Sequence, residues 1–283
     1  MTPGAVRVPI SRVEGVVTQR QDDLLAVEEP LEIRLGSRSL SVTMRTPGND
    51  FELAAGFLFA EGIISSARQI RRIASSQPNV VVVELSAEVA IQPAESQRSF
   101  VMTSACGLCG KASLAALEAN RCPVLPPRHF RIDPGVIHRL PHELRSRQDV
   151  FETTGGLHAA ALFDPQGQLD SLREDVGRHN AVDKLIGHAL LSGRTPLRDS
   201  VMVVSGRASY ELVQKALVAG IPVLAAVGAP SSMAVKTAGR CGMTLIGFLR
   251  HGRFNVYNGS VRIGGLENPR LKLRIQGNLV RLA

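Results

Sequence analysis

Between residues 157 and 249 the chain alternates short apolar or β-branched runs with helical stretches of about ten to twelve residues, and this alternation limits the fold more than any other feature. Residues 157–163 are apolar and close on Asp164-Pro165-Gln166-Gly167, a hairpin-type turn. A helix over 180–191 stops at Ser192-Gly193, a buried-type strand follows over 201–204, and a helix over 208–219 ends at Gly220. A strand over 222–227, a helix from Pro230-Ser231-Ser232 to about Cys241 and a strand over 244–249 complete the pattern. Strands and helices in alternation bury their apolar faces against each other as layers, so the pattern predicts a layered α/β domain.

The first hundred residues read differently. Residues 27–35 and 39–44 flank Gly36-Ser37 and read as a β-hairpin. Thr46-Pro47-Gly48-Asn49-Asp50 marks a turn from which Asp50 is placed to cap a helix over 51–60, with Leu53, Phe57 and Leu58 on one face and Glu61-Gly62 at its end. Residues 80–85 are a dense β-branched run and so a strand. The fold class is therefore α/β (α+β): a small α+β domain over 1–97, a layered α/β domain over 98–265, and a polar, basic tail over 266–283 without assignment. The polar stretch 92–98 is the boundary.

Composition narrows the function. Trp is absent and aromatics total 4%, which removes the stacking platforms that single-stranded nucleic acids need. The net charge of +8 favours an acidic partner such as phosphate, a nucleotide or an acidic protein surface, but no block of like charges marks a nucleic-acid arm. No apolar stretch is long enough to span a bilayer, and the start, Met1-Thr2-Pro3-Gly4, has no signal-peptide pattern. Four cysteines, Cys106, Cys109, Cys122 and Cys241, are too few to build a disulfide scaffold. The expectation is a cytoplasmic protein with reduced thiols and neither membrane nor nucleic acid as partner.

The strongest chemical signal is Ser104-Ala105-Cys106-Gly107-Leu108-Cys109-Gly110-Lys111, ahead of a helix-forming stretch over 112–118. A helix N-terminus and the Lys111 charge both favour the thiolate, the form that attacks sulfur or binds metal. Flanking glycines suit a loop that moves between donor and acceptor. The spacing alone leaves four readings open: half of a zinc site, a dithiol oxidoreductase, two structural cysteines, or covalent sulfur chemistry through a persulfide. Zinc needs two further ligands, and Cys122 and Cys241 stand alone.

Residues 173–184 pack seven charged or titratable side chains into twelve positions. Within them His179 and Asp183 stand four apart, the spacing of an acid–base pair on one helix face or of ordinary ion pairs on a solvated turn. Whether Glu174, Asp175, His179 and His158 touch a ligand or only support its surroundings is open. His158 follows Gly155-Gly156-Leu157 and is flanked by apolar residues. Ser205-Gly206-Arg207 and Val227-Gly228-Ala229 are small-residue turns leading into helices, suited to an anion or a plain βα connection. Phe248, Leu249, Arg250, His251, Gly252 and Arg253 end a strand with two arginines and a glycine, a phosphate-clamp composition.

Taken together, the Thr46-Pro47-Gly48 turn, the Cys106–Cys109 loop, Thr154-Gly155-Gly156-Leu157-His158-Ala159, the 173–184 segment, the 204–219 turn-helix and the 248–253 segment resemble the formate dehydrogenase accessory sulfurtransferase family (FdhD/NarQ) over about residues 20–260. The resemblance implies a sulfur carrier that takes persulfide sulfur from a cysteine desulfurase. It passes this sulfur to the molybdenum cofactor, in its bis-molybdopterin guanine dinucleotide form, before insertion into formate dehydrogenase. It maps the persulfide to Cys106 and the second loop cysteine to Cys109. It maps cofactor binding to Phe248, Leu249, Arg250, His251, Gly252 and Arg253. Ser205, Gly206 and Arg207 are added on the anion argument above, and a GDP-like nucleotide would suit the same site. It further implies a homodimer and a cytidine deaminase-like second domain. The metal signature of those deaminases, H-x-E with P-C-x-x-C, is missing: Ala105 precedes Cys106 and no H-x-E occurs. A non-catalytic cofactor-binding chaperone for formate dehydrogenase is the competing function.

Overall fold

The computed structural model describes residues 4–89, 100–102, 123–126, 130–250, 252–266, 272–275 and 278–281. Strands β1 (Ala5–Glu14) and β2 (Val17–Ala26) form a two-stranded antiparallel ribbon of their own. The predicted hairpin is present as β3 (Glu29–Leu35) and β4 (Arg38–Arg45), turning on Gly36. With β5 (Ile70–Gln77), β6 (Val80–Leu85) and β7 (Phe100–Met102) it makes a five-stranded mixed sheet in the order β5-β6-β3-β4-β7. Strand β7 lies past residue 97, so this first sheet runs on into the part of the chain assigned above to the second domain. The boundary stretch 92–98 lies outside the described residues.

Helix α1 (Asp50–Ala60) begins one residue earlier than the sequence indicates. Asn49, in the left-handed conformation, is the cap residue and makes no side-chain cap bond. The Asp50 carboxylate is taken instead by Arg45, whose Nε and Nη2 both donate to it at 2.9 Å. Every residue of α1 from Leu53 to Ala60 is buried, so the helix has no solvent stripe. It is covered on both sides.

The second sheet follows the predicted alternation in four of its strands, while its two edge strands, over 169–175 and 253–258, carry no assignment in the sequence pattern. It contains β8 (His158–Phe163), β9 (Leu169–Asp175), β10 (Val201–Val204), β11 (Val223–Ala226), β12 (Thr244–Arg250) and β13 (Arg253–Asn258), in the order β13-β12-β11-β10-β8-β9. The central three, β10, β11 and β12, are parallel, joined by crossover helices α5 (Tyr210–Val218) and α6 (Ser232–Cys241). Helices α2 (Pro134–Arg145), α3 (Asp149–Thr154) and α4 (Arg178–Leu191) complete the helical set among the described residues. Side chains alternate across the sheet: Met202 and Val204 join one core, Val201 and Val203 the other. The second core, under α2, holds Ile137, Leu140 and Leu144 against Ala161, Val203 and Ile246. The first core is continuous from Leu31, Ile33 and Val81 of the first sheet through α1 to Leu185, Leu212 and Leu224.

Two glycines permit this continuity. A Cβ on Gly56 of α1 would stand 1.9 Å from the Asp183 carbonyl oxygen, and one on Gly187 of α4 would stand 1.8 Å from that of Glu52. The helices therefore cross with backbone against backbone, where no side chain fits. The tail, unassigned from sequence, contains a short antiparallel pair, β14 (Lys272–Ile275) and β15 (Asn278–Arg281). No helix among the described residues is long and apolar enough to cross a membrane.

Candidate functional site

The carboxyl ends of β10, β11 and β12 open on one side of the second sheet, where ligands of open α/β sheets collect. Their connecting turns are stitched together beyond the strands themselves. Gly228 N donates to Gly206 O at 2.9 Å, and Phe248 N donates to Gly228 O at 3.0 Å. A side chain at 228 would meet Gly206 O at 3.0 Å and Arg207 Cα at 3.1 Å, so anything larger than glycine would push the two turns apart by a few tenths of an ångström.

The register of β12 against β13 slips between Gly247 and Arg250, and Phe248 within this bulge takes φ 53°. A bulky residue in the left-handed region is an outlier that its surroundings must enforce. The bulge falls inside the segment the sequence marks for cofactor binding, and bulges of this kind redirect side chains beside functional sites.

A cleft of about 750 Å³ lies at these strand ends. Leu249, Arg250, Gly252, Ser205 and Val227 line it from the strand ends, and Gly155, Gly156, Leu157 and His158 from the segment leading into β8. A further wall comes from α2 and the start of α3: His138, His142, Arg145, Gln148 and Phe151. Ser205 is fixed by its backbone, donating to Ala159 O at 3.0 Å, and by its hydroxyl, which accepts from Ala159 N at 2.9 Å. Burial, with the Arg178 charge added, holds His158 below the usual histidine pKa and outweighs the pull of Asp175, so it presents a neutral imidazole to the cleft.

The structure sorts the sequence candidates. Ser205, Leu249, Arg250, Gly252 and His158 line the cleft. Gly206 and Arg207 form the turn directly behind Ser205; Phe248 lies within the bulge and Arg253 pairs with Arg250 at its end, and neither lines the cleft. Cys106, Cys109 and His251 lie outside the described residues. Glu174 faces a separate depression of about 560 Å³ beside Thr46, Asn49 and Lys184. Its carboxylate caps α3, accepting from Val150 N at 3.1 Å and Phe151 N at 3.0 Å.

Asp175 and His179 are internal. Asp175 is fully enclosed and accepts from Gly177 N at 2.8 Å, Asn180 Nδ2 at 3.0 Å and Thr46 N at 3.2 Å, with Lys184 Nζ at 2.7 Å. The His179–Asp183 pairing allowed by the sequence does not form. Asp183 accepts from Lys215 Nζ at 2.8 and 2.9 Å, while His179 Nε2 meets Ser209 Oγ at 3.4 Å. Nor is the segment a solvated turn, since α4 is buried from His179 to Gly187.

The α2 wall was absent from the sequence reading, although its signals are there. Asp133 accepts from Gly135 N at 2.7 Å as an N-cap, Pro134 occupies the first turn, and Ile137, Leu140 and Leu144 recur at helical spacing.

Comparison with known proteins gives one family. Residues 26–264 match the model of the FdhD/NarQ family. A Sulfur carrier protein FdhD of Streptomyces coelicolor is 52% identical over 260 residues, covering 88% of this chain and 92% of that one. The protein of the same name from Mycobacterium tuberculosis is 49% identical over 271 residues, covering 91% and 97%. That from Sulfurisphaera tokodaii is 43% identical over 260 residues, covering 91% and 98%. Among solved structures, one from Desulfotalea psychrophila, described as a formate dehydrogenase accessory protein, aligns with a TM-score of 0.72 and 28% identity over 92% of this chain and all of that one.

Proposed function

The chain belongs to the FdhD/NarQ family, and from that premise we propose that it is a cytoplasmic sulfur carrier for formate dehydrogenase maturation, with Cys106 as the carrying residue. In the first step the Cys106 thiolate attacks the outer sulfur of a cysteine desulfurase persulfide. A sulfur–sulfur bond forms at Cys106, the donor's bond breaks, and the donor cysteine leaves as a thiolate. Cys109 is the candidate to drive the second step. Its thiolate attacks the Cys106 sulfur, a Cys106–Cys109 disulfide forms, the persulfide bond breaks, and the carried sulfur leaves as hydrosulfide for the molybdenum cofactor in its bis-molybdopterin guanine dinucleotide form. A thiol reductant of the cell then returns both cysteines to thiols.

The observation that supports a cofactor site is the enforced bulge at Phe248 on the rim of a cleft of this size. Ser205 and Arg250 on one wall suit the phosphates of a guanine dinucleotide, and the neutral His158 can donate or accept without competing for them as an ion. The working form is a homodimer.

Incubation with a cysteine desulfurase and cysteine should add one sulfur atom to the intact chain, by mass spectrometry, and none to the Cys106→Ala variant. An added sulfur that survives in Cys106→Ala would refute the assignment. A cofactor chaperone without sulfur chemistry would take its place if the Cys106→Ala/Cys109→Ala chain still matured formate dehydrogenase while Arg250→Ala and Arg253→Ala chains did not.

A further inference from the structure

The ribbon of β1 and β2 reaches beyond anything that supports it, and it lies ahead of the stretch 26–264 that matches the family. No third strand joins it among the described residues. Its root is held: α3 packs on both strands, and a Cβ added to Gly156 would stand 3.2 Å from that of Ala26. From residue 11 to residue 20 every position is exposed. A lone two-stranded ribbon is marginal in water, so this free part calls for cover. Ala26, paired with Ala5, faces the body, and side chains alternate along each strand. The other face therefore points away from the body, and it carries Val6, Val8, Ile10, Val17 and Leu25. Val6, Val17 and Leu25 are 47%, 54% and 46% exposed, so an apolar stripe runs along the ribbon in contact with water.

The order of side chains on this face is self-complementary. From root to tip its pairs are Val6–Leu25, Val8–Asp23, Ile10–Gln21, Arg12–Gln19 and Glu14–Val17. A second ribbon laid on it face to face, and turned end for end about the Ile10–Gln21 pair, sets Ile10 on Ile10 and Leu25 on Val17. It also brings Arg12 of each copy beside Asp23 of the other. Within one chain these two stand about 13 Å apart along the ribbon, too far to pair. Charge favours the same occupant. The chain carries +8, which sets its copies against each other, but residues 5–26 hold Arg7, Arg12 and Arg20 against Glu14, Asp22 and Asp23 and are neutral. We propose that the outer face of the ribbon is where two copies of this chain meet, in an isologous contact. This rests on the reading of the working form as a homodimer and adds to it the surface and the register.

Sedimentation velocity of the full chain over a dilution series tests this, with wild type expected as a dimer. Val17 and Arg12 are exposed, so Val17→Asp and Arg12→Asp should melt with wild type while raising the dimer dissociation constant about tenfold or more. Arg12→Asp places two aspartates at each contact, and Asp23→Arg places two arginines there, so each variant alone should shift to monomer. Mixed in equal amounts, the two should recover the dimer, because each contact then holds one arginine and one aspartate. Dimers that all three variants leave intact overturn the assignment, and so do single variants that dissociate without recovery on mixing. A monomeric wild type overturns the homodimer reading and the surface with it. Sulfur loading of Cys106, read by mass, is decided separately from either result.

Discussion

Asp175 holds four groups from three elements, and its negative charge has no water to fall back on. Replacing it with alanine leaves Lys184, 1% exposed, as an uncompensated buried cation. Asp175→Ala should therefore cost about 3–5 kcal/mol of stability, read from urea unfolding midpoints. His179 carries the opposite lesson. Burial first, then the Lys215, Arg178 and His158 charges, push its pKa down to about 3. The unfolded chain, with an ordinary histidine near 6.5, takes up the proton first as pH falls. Stability is thus complete above about pH 6.5 and declines toward pH 3, by up to about 1.4 kcal/mol per pH unit for this one residue. His158 acts in the same direction. Unfolding midpoints between pH 7.5 and 5 should fall less steeply for His179→Gln than for wild type, and parallel slopes would contradict the argument. Neither role was legible in the sequence. Spacing along a helix predicts partners only where no other element competes, and here Lys215 from α5 claims Asp183 while Ser209 meets His179.

Elements were legible where local pattern and final burial agree. The strands and helices of the second sheet follow their apolar runs because each βα unit buries the face that its own sequence marks. Helix α2 was missed because Asp133-Pro134-Gly135 also reads as a turn and Pro141 sits inside the helix. Most of one wall of the cleft was lost with it, including His138, His142 and Arg145. Helix α1 was recognised, but its environment was not. Leu53, Phe57 and Leu58 suggest one apolar face, whereas the crossing with α4 buries the other side too, through Gly56 and Gly187. Gly187→Ala should force the helices apart and cost about 3 kcal/mol or more. In a melting experiment that is a loss of about 10 °C. A variant that melts with wild type would mean that the crossing is not as close as the backbone positions require.

At the scale of the molecule, the two sheets share one apolar core instead of meeting across a wet seam. Polar links reinforce it: Arg173 of β9 donates to Glu52 of α1 at 2.7 Å, and Lys184 of α4 donates to Thr46 O at 2.8 Å. Burial pushes the Glu52 carboxyl up, but Arg173 and His188 outweigh it and keep Glu52 below the usual carboxylate range. Calorimetric unfolding should accordingly show a single transition whose van't Hoff and measured enthalpies agree, and two resolved transitions would refute a shared core.

The helix crossing at Gly56 and Gly187 has a consequence for the life of the protein in the cell. Neither half can survive the loss of the other, because each would bare the apolar surface its neighbour covers. Loss of one half to a protease should therefore carry the other with it, so that limited proteolysis leaves no stable fragment of either.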